Sequence, residues 1–211
     1  ADLVATASAD GNEFCGELHL GIIPTIAPFV LTPLIEQCNS DYPNLELFLR
    51  EDTTENCLSM LRAGRLDLVL MATPYETEEF AEKALCDDPF FHVYHPDKVA
   101  SNLYLLEKEH CLAEHTIKGC KLKESSDVHP FQASSLNTLL AMVEGHKGET
   151  YLPRLAIKSG ILAAGPLRFD PMNDPTAART LSLVWRKTSH RRVFYSKIAD
   201  TIEQVLRRIL S

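Results

Sequence analysis

The run Glu17-Leu18-His19-Leu20-Gly21-Ile22-Ile23 alternates side-chain character and stops at Pro24-Thr25. That pattern predicts a β-strand closed by a turn. Phe29, Leu31, Leu34, Ile35 and Cys38 then recur at helical spacing, ending before Asp41-Tyr42-Pro43. Leu45-Glu46-Leu47-Phe48-Leu49 reads as a second strand. Thr53-Thr54 offers an N-cap, and Leu58, Leu61 and the break at Gly64 outline a second helix. Residues 66–71 read as a buried strand interrupted only by Asp67. The first 72 residues therefore predict strand–helix–strand–helix–strand, a parallel doubly wound unit.

The rest of the chain reads as α/β too. Strands are expected at residues 90–94, 102–106, 150–152 and 180–185. Ser134-Ser135 caps a helix running through Val143, and a last helix covers about 191–210, with Ile198, Ile202, Val205 and Ile209 on one face. Two Rossmann-like subdomains with a cleft between them follow, a periplasmic-binding-protein-like α/β architecture. We expect residues 1–15 to be the end of a linker, 16–87 plus 182–211 to form subdomain I, and 88–181 to form subdomain II.

The chain has 211 residues, 45 % of them hydrophobic and 24 % charged, which suits an ordinary globular core. No apolar run is long enough to span a membrane. A net charge of −8 argues against a grip on nucleic-acid phosphates. The charge is uneven: residues 1–100 carry −13 and residues 101–211 carry +5, so an anionic site or reactive thiol is expected in the second half. The start, Ala-Asp-Leu-Val-Ala-Thr, has no basic region, no apolar region and no initiator Met. The expectation is a cytoplasmic piece of a longer protein, without a signal peptide and with its six cysteines reduced by default.

The segment Glu109-His110-Cys111-Leu112-Ala113-Glu114-His115-Thr116-Ile117-Lys118-Gly119-Cys120 carries the most chemistry. It follows a predicted strand, where α/β folds place their sites. His110, Lys108 and Lys118 are positive neighbours of the kind that stabilise a thiolate at Cys111. A sulfenic acid there can condense with a second thiol such as Cys120. Residue types alone leave other readings open. A cysteine is often a small buried hydrophobe. His110, Cys111, His115 and Cys120 are zinc-type ligands, but their spacing matches no common zinc pattern. Thr25 and Thr54 each follow a strand and precede a helix, so they are either helix caps or polar groups at adjacent strand ends near a crevice. Arg179, read locally, is a surface residue. Cys38 and Cys57 fall on helices and read as structural; Cys15 and Cys86 have no assigned role.

Three stretches narrow these alternatives: residues 16–25, then Asp41-Tyr42-Pro43, then residues 61–69 (Leu61-Arg62-Ala63-Gly64-Arg65-Leu66-Asp67-Leu68-Val69). With them the chain resembles the regulatory domain of LysR-type transcription regulators over residues 16–211. The His110-Cys111 pair with Cys120, the run 133–139 and Tyr151-Leu152-Pro153 make it similar to the peroxide-sensing members. The chain departs from their pattern in a shorter stretch between Tyr94 and Asn102 and in the turn at residues 145–150. The resemblance implies that Cys111 is the peroxidatic cysteine and Cys120 the resolving one. It implies that Thr25, Thr54 and His110 position hydrogen peroxide, and that Arg179 stabilises the thiolate. It also implies a stoichiometric sensor rather than an enzyme, with no metal or cofactor. Homodimers are implied, with tetramers of the full-length protein, a winged helix-turn-helix before residue 1 that alone contacts promoter DNA, and RNA polymerase as a partner. Rival expectations are a metabolite-binding cleft without cysteine chemistry, a turnover thiol peroxidase, and a zinc-held loop.

Overall fold

The computed structural model describes residues 15–97, 102–107, 110–119, 128–174 and 176–211. Strand β1 (Gly16–Ile22) lies between β2 (Leu45–Glu51) and β3 (Leu68–Thr73), parallel to both. The connecting helices are α1 (Ala27–Asp41) and α2 (Thr54–Arg62). β3 is buried along its whole length, as expected for a central parallel strand covered on both faces. Because β1 and β2 are parallel and in register, their C-terminal ends lie side by side. Thr25 and Thr54 therefore leave the same edge of the sheet.

Beyond β3 the parallel pattern ends. β7 (Ala178–Arg186) runs antiparallel to β3, and β4 (Phe80–Tyr94) runs antiparallel to β7. The second half of β4 pairs with β5 (Glu149–Pro153) and β6 (Arg168–Pro171), both antiparallel. One long strand thus serves both halves of the molecule. Sequence reading placed only its end, residues 90–94. Its first part carries Glu82, Lys83, Asp87 and Asp88, and a bulge between Ala84 and Cys86 breaks the alternation that marks a strand.

Residues 102–106 also differ from expectation. They form isolated bridges at Leu103 and Leu106 rather than a strand. Tyr104 N–H donates to Glu149 O, whereas Leu105 O accepts from Ala133 N–H. The segment changes partner along its length, so no ladder builds up, although residues 103–106 are all buried. Gly148 makes this threading possible. A Cβ there would lie 2.5 Å from Tyr104 Cε2 and 2.7 Å from the Asn102 carbonyl oxygen. Gly148→Ala is expected to cost about 1–3 kcal/mol through overpacking, read as a lower midpoint in urea unfolding; an unchanged midpoint would show that the segment gives way freely.

Helices α3 (Cys111–Gly119), α4 (Leu136–Gly145), α5 (Arg154–Lys158) and α6 (Arg192–Leu210) complete the described elements. α4 starts at Ser135, whose side chain caps Thr138 N–H, and α6 buries Ile198, Ile202 and Val205. Two apolar cores result. The larger is built on β1, β3, β7 and α6; the smaller gathers Phe90, Val93, Tyr104, Leu139, Val143 and Leu152. Cys111 packs into the larger core, while its neighbour Leu112 packs into the smaller. The start of α3 therefore straddles the junction. No helix among the described residues is long and apolar enough to cross a membrane.

Candidate functional site: a buried cysteine at the junction of two cores

Cys111 is the first residue of α3 and is only 5 % exposed. It shares a tight crevice with Thr25, Thr54 and His110, walled by Ile23, Pro24 and Thr53. Five of the six predicted site residues are thereby connected, because Arg179 reaches the same place from β7. Its Nη1 donates to Thr25 Oγ1 at 2.8 Å and its Nη2 to the Thr25 carbonyl at 3.1 Å. The sixth, Cys120, lies outside the described residues.

The two threonines are resolved by their surroundings. The α2 N-cap is Thr53, whose side chain accepts from Asn56 N–H. Thr54 is thus relieved of capping, and its Oγ1 is buried without a hydrogen-bond partner. Thr25 Oγ1 accepts from Arg179 and keeps its own proton to donate. His110 Nε2 donates to the Ser134 carbonyl at 3.0 Å. In the neutral ring this leaves Nδ1 as an acceptor, and Nδ1 is buried without a partner. The crevice therefore holds a thiol, two hydroxyls and an acceptor nitrogen.

The local reading and the family resemblance point to different cations, the neighbouring lysines and Arg179. Lys118 pairs with Glu114 on its own helix, and Lys108 lies outside the described residues. The positive charge felt by Cys111 comes from Arg179, 68 positions later in the chain. Arg179 is not a surface residue. It is 1 % exposed and ion-paired with Asp88 at 3.0 Å, both side chains being fully buried. Asp88 also accepts from Leu155 N–H at 2.8 Å. Asp88 was missed altogether. The available signal was an acidic pair, Asp87-Asp88, just before Pro89 in a strand.

Burial is the largest influence on the Cys111 thiol and pushes its pKa up; the Thr54 hydroxyl, Arg179 and the helix-end backbone N–H pull against it. Burial raises Cys38 to about 11, and Cys57 and Cys86 to about 12; none of these three has a comparable set of donors. Beside the crevice a wider cleft of about 540 Å³ shares Pro24, Thr25 and His110, and is further lined by Phe29, Leu136 and Ile161. No group of three or more His, Cys, Asp or Glu among the described residues is placed to hold a metal ion.

The family model described as the LysR substrate binding domain matches residues 11–207. The chain belongs to this family. Within it, the LysR-type domain is 32 % identical over 217 residues to the hydrogen peroxide-inducible genes activator of Haemophilus influenzae, covering 97 % of this chain and 72 % of that protein. It is equally 32 % identical to the HTH-type transcriptional regulator EstR of Acinetobacter baylyi, with the same coverage. Among solved structures, the reduced regulatory domain of OxyR2 from Vibrio vulnificus superposes with a TM-score of 0.85 at 38 % identity, covering 91 % of this chain and 96 % of that one. A cysteine-to-serine mutant of OxyR from Corynebacterium glutamicum, solved with hydrogen peroxide bound, gives 0.85 at 29 % identity, covering 93 % and 66 %. The LysR-type domain thus resembles OxyR regulatory domains in both sequence and fold.

Proposed function

We propose that this LysR-type domain is the hydrogen-peroxide-sensing regulatory part of a transcription regulator, with Cys111 as the reacting thiol and Cys120 as its resolving partner. The observation that carries the reading is the crevice in which Cys111 meets Thr25, Thr54, His110 and the Arg179 charge. Peroxide is small and polar. Its oxygens accept from the two threonine hydroxyls and, once His110 Nδ1 has taken the thiol proton, from that N–H.

The chemistry balances within the site. His110 Nδ1 takes the thiol proton as the thiolate forms beside Thr54 and Arg179. The sulfur attacks one peroxide oxygen, the O–O bond breaks, and His110 returns the proton to the leaving oxygen as water. Cys111 is then a sulfenic acid. The Cys120 sulfur attacks it, and a second water leaves as the disulfide forms. Two electrons have passed from the two thiols to one peroxide.

The second step demands a rearrangement. Cys111 to Gly119 is helix, and eight residue steps of helix rise about 12 Å. A disulfide needs Cα atoms within about 7 Å, so a 111–120 bond requires α3 to come apart. Opening α3 withdraws Cys111 from one core and Leu112 from the other, which makes the helix the bistable element of a switch. The domain acts as a stoichiometric sensor in the cytoplasm. It works as a homodimer and, full-length, as a tetramer that reaches promoter DNA and RNA polymerase through a winged helix-turn-helix outside these residues. The lobes are residues 16–87 plus 182–211 and residues 88–181.

The test is thiol mapping. Reduced protein treated with one equivalent of peroxide is expected to lose two thiols and to show one Cys111–Cys120 disulfide by mass spectrometry. Loss of other thiols, or no loss, would overturn the assignment. The family description as a substrate binding domain and the wider cleft support a second reading, metabolite binding without cysteine chemistry; for that reading, calorimetry with candidate metabolites would give binding while peroxide left all thiols intact.

A further inference from the structure

We propose that His115 is a positioning residue of the redox switch: it fastens α3, and with it Cys111, to the end of β3, and so sets how readily the disulfide forms. The proposal rests on the peroxide-sensing reading above. His115 lies one turn after Cys111 on the same face of α3 and is 4 % exposed. Its Nε2 donates to the Pro74 carbonyl at 2.9 Å.

The anchor is firm on both sides. Pro74 directly follows β3, a strand buried throughout. Thr73, the last residue of that strand, is held by Ser182 Oγ at 3.1 Å, and Ser182 in turn by Glu82 at 2.8 Å. On the helix side the imidazole is neutral, since burial depresses its pKa. A neutral ring whose Nε2 donates to a carbonyl has a fixed tautomer. Its Nδ1 is buried without a partner, so the ring's one satisfied polar contact is the Pro74 bond. The Lys118–Glu114 pair lies within the helix and fastens α3 to nothing else.

This bond belongs to the reduced state alone. When α3 opens to let residues 111 and 120 meet, His115 leaves Pro74. The relevant equilibrium is protein dithiol plus oxidised glutathione going to protein disulfide plus two reduced glutathione. A group that stabilises only the left-hand protein state shifts it toward the dithiol. A residue that steadied both states equally would change the melting temperature and leave the equilibrium unmoved.

The experiment equilibrates the chain in glutathione buffers of graded ratio, traps thiols by alkylation and counts the disulfide by mass spectrometry. His115→Ala is expected to shift the equilibrium about tenfold toward disulfide, equivalent to about 30 mV for a two-electron couple. His115→Gln, whose amide nitrogen stands as many bonds from Cβ as the imidazole Nε2, is expected to stay within about twofold of wild type, on the view that one hydrogen bond carries the effect. If His115→Ala does not fold, His115→Asn replaces it with the same expectation, because its amide is one bond shorter and falls short of Pro74. A wild-type equilibrium in the alanine or asparagine variant, or an equal shift in the glutamine variant, overturns the latch alone. No disulfide in the wild type at any ratio overturns the peroxide reading, and the latch with it.

Discussion

Cys111→Ser is expected to slow peroxide-driven thiol loss by at least about a hundredfold. A hydroxyl is a far weaker nucleophile toward peroxide than a thiolate. The described thiols that remain lie outside that crevice: burial raises Cys38 to about 11 and both Cys57 and Cys86 to about 12, and Cys15 sits just before β1. They also lack the hydroxyls and the arginine that converge on Cys111, and a single donor aimed at developing charge is worth about a hundredfold. The measurement is the rate of thiol disappearance under excess peroxide, wild type against variant. Equal rates would mean that another cysteine senses the oxidant. Serine fits the same space as cysteine, so unfolding is not a competing explanation, and a matched melting curve checks it.

Asp88→Ala is expected to destabilise the domain by about 3–5 kcal/mol, the usual cost of leaving a buried charge without its partner. Arg179 would keep its charge with both side-chain surfaces shut off from water, and Leu155 N–H would lose its acceptor. A native margin of about 5–15 kcal/mol makes this a large share of the total. Urea unfolding followed by the Trp185 fluorescence reads it directly. A loss under about 1 kcal/mol would show that water or a shifted side chain compensates, and that Arg179 is not held rigidly beside Thr25. The same variant is expected to slow Cys111 oxidation, since Arg179 without Asp88 has no fixed bearing on the crevice.

The parallel core β2–β1–β3 with α1 and α2 was legible because its signals are local: alternation, helical spacing, Pro24 and Gly64 as stops. The edge placement of Thr25 and Thr54 followed from the same reading, since residues after parallel strands leave one side of a sheet. The antiparallel half was less legible. β4 carries charges whose partners lie far along the chain, Glu82, Asp87 and Asp88 on β7 residues and Lys83 on Asp200 of α6, and its bulge erases the period. The segment at residues 102–106 is as apolar as a strand, yet it divides its hydrogen bonds between two neighbours.

For the site, the sequence by itself determined the family resemblance, the choice of Cys111 among six cysteines, and the company of two threonines and a histidine. The resemblance also implied Arg179 as the cation beside the thiolate, and tertiary structure decided how it is held there. Arg179 is the cation that acts on Cys111, while Lys118 finds Glu114 one turn away. That Arg179 is buried at all depends on Asp88, 91 positions away along the chain. That Thr54 is unpartnered depends on Thr53 taking the cap. Charge and hydrogen bonding act through space over a few ångströms, and spacing along the chain carries that information only where secondary structure makes the two coincide.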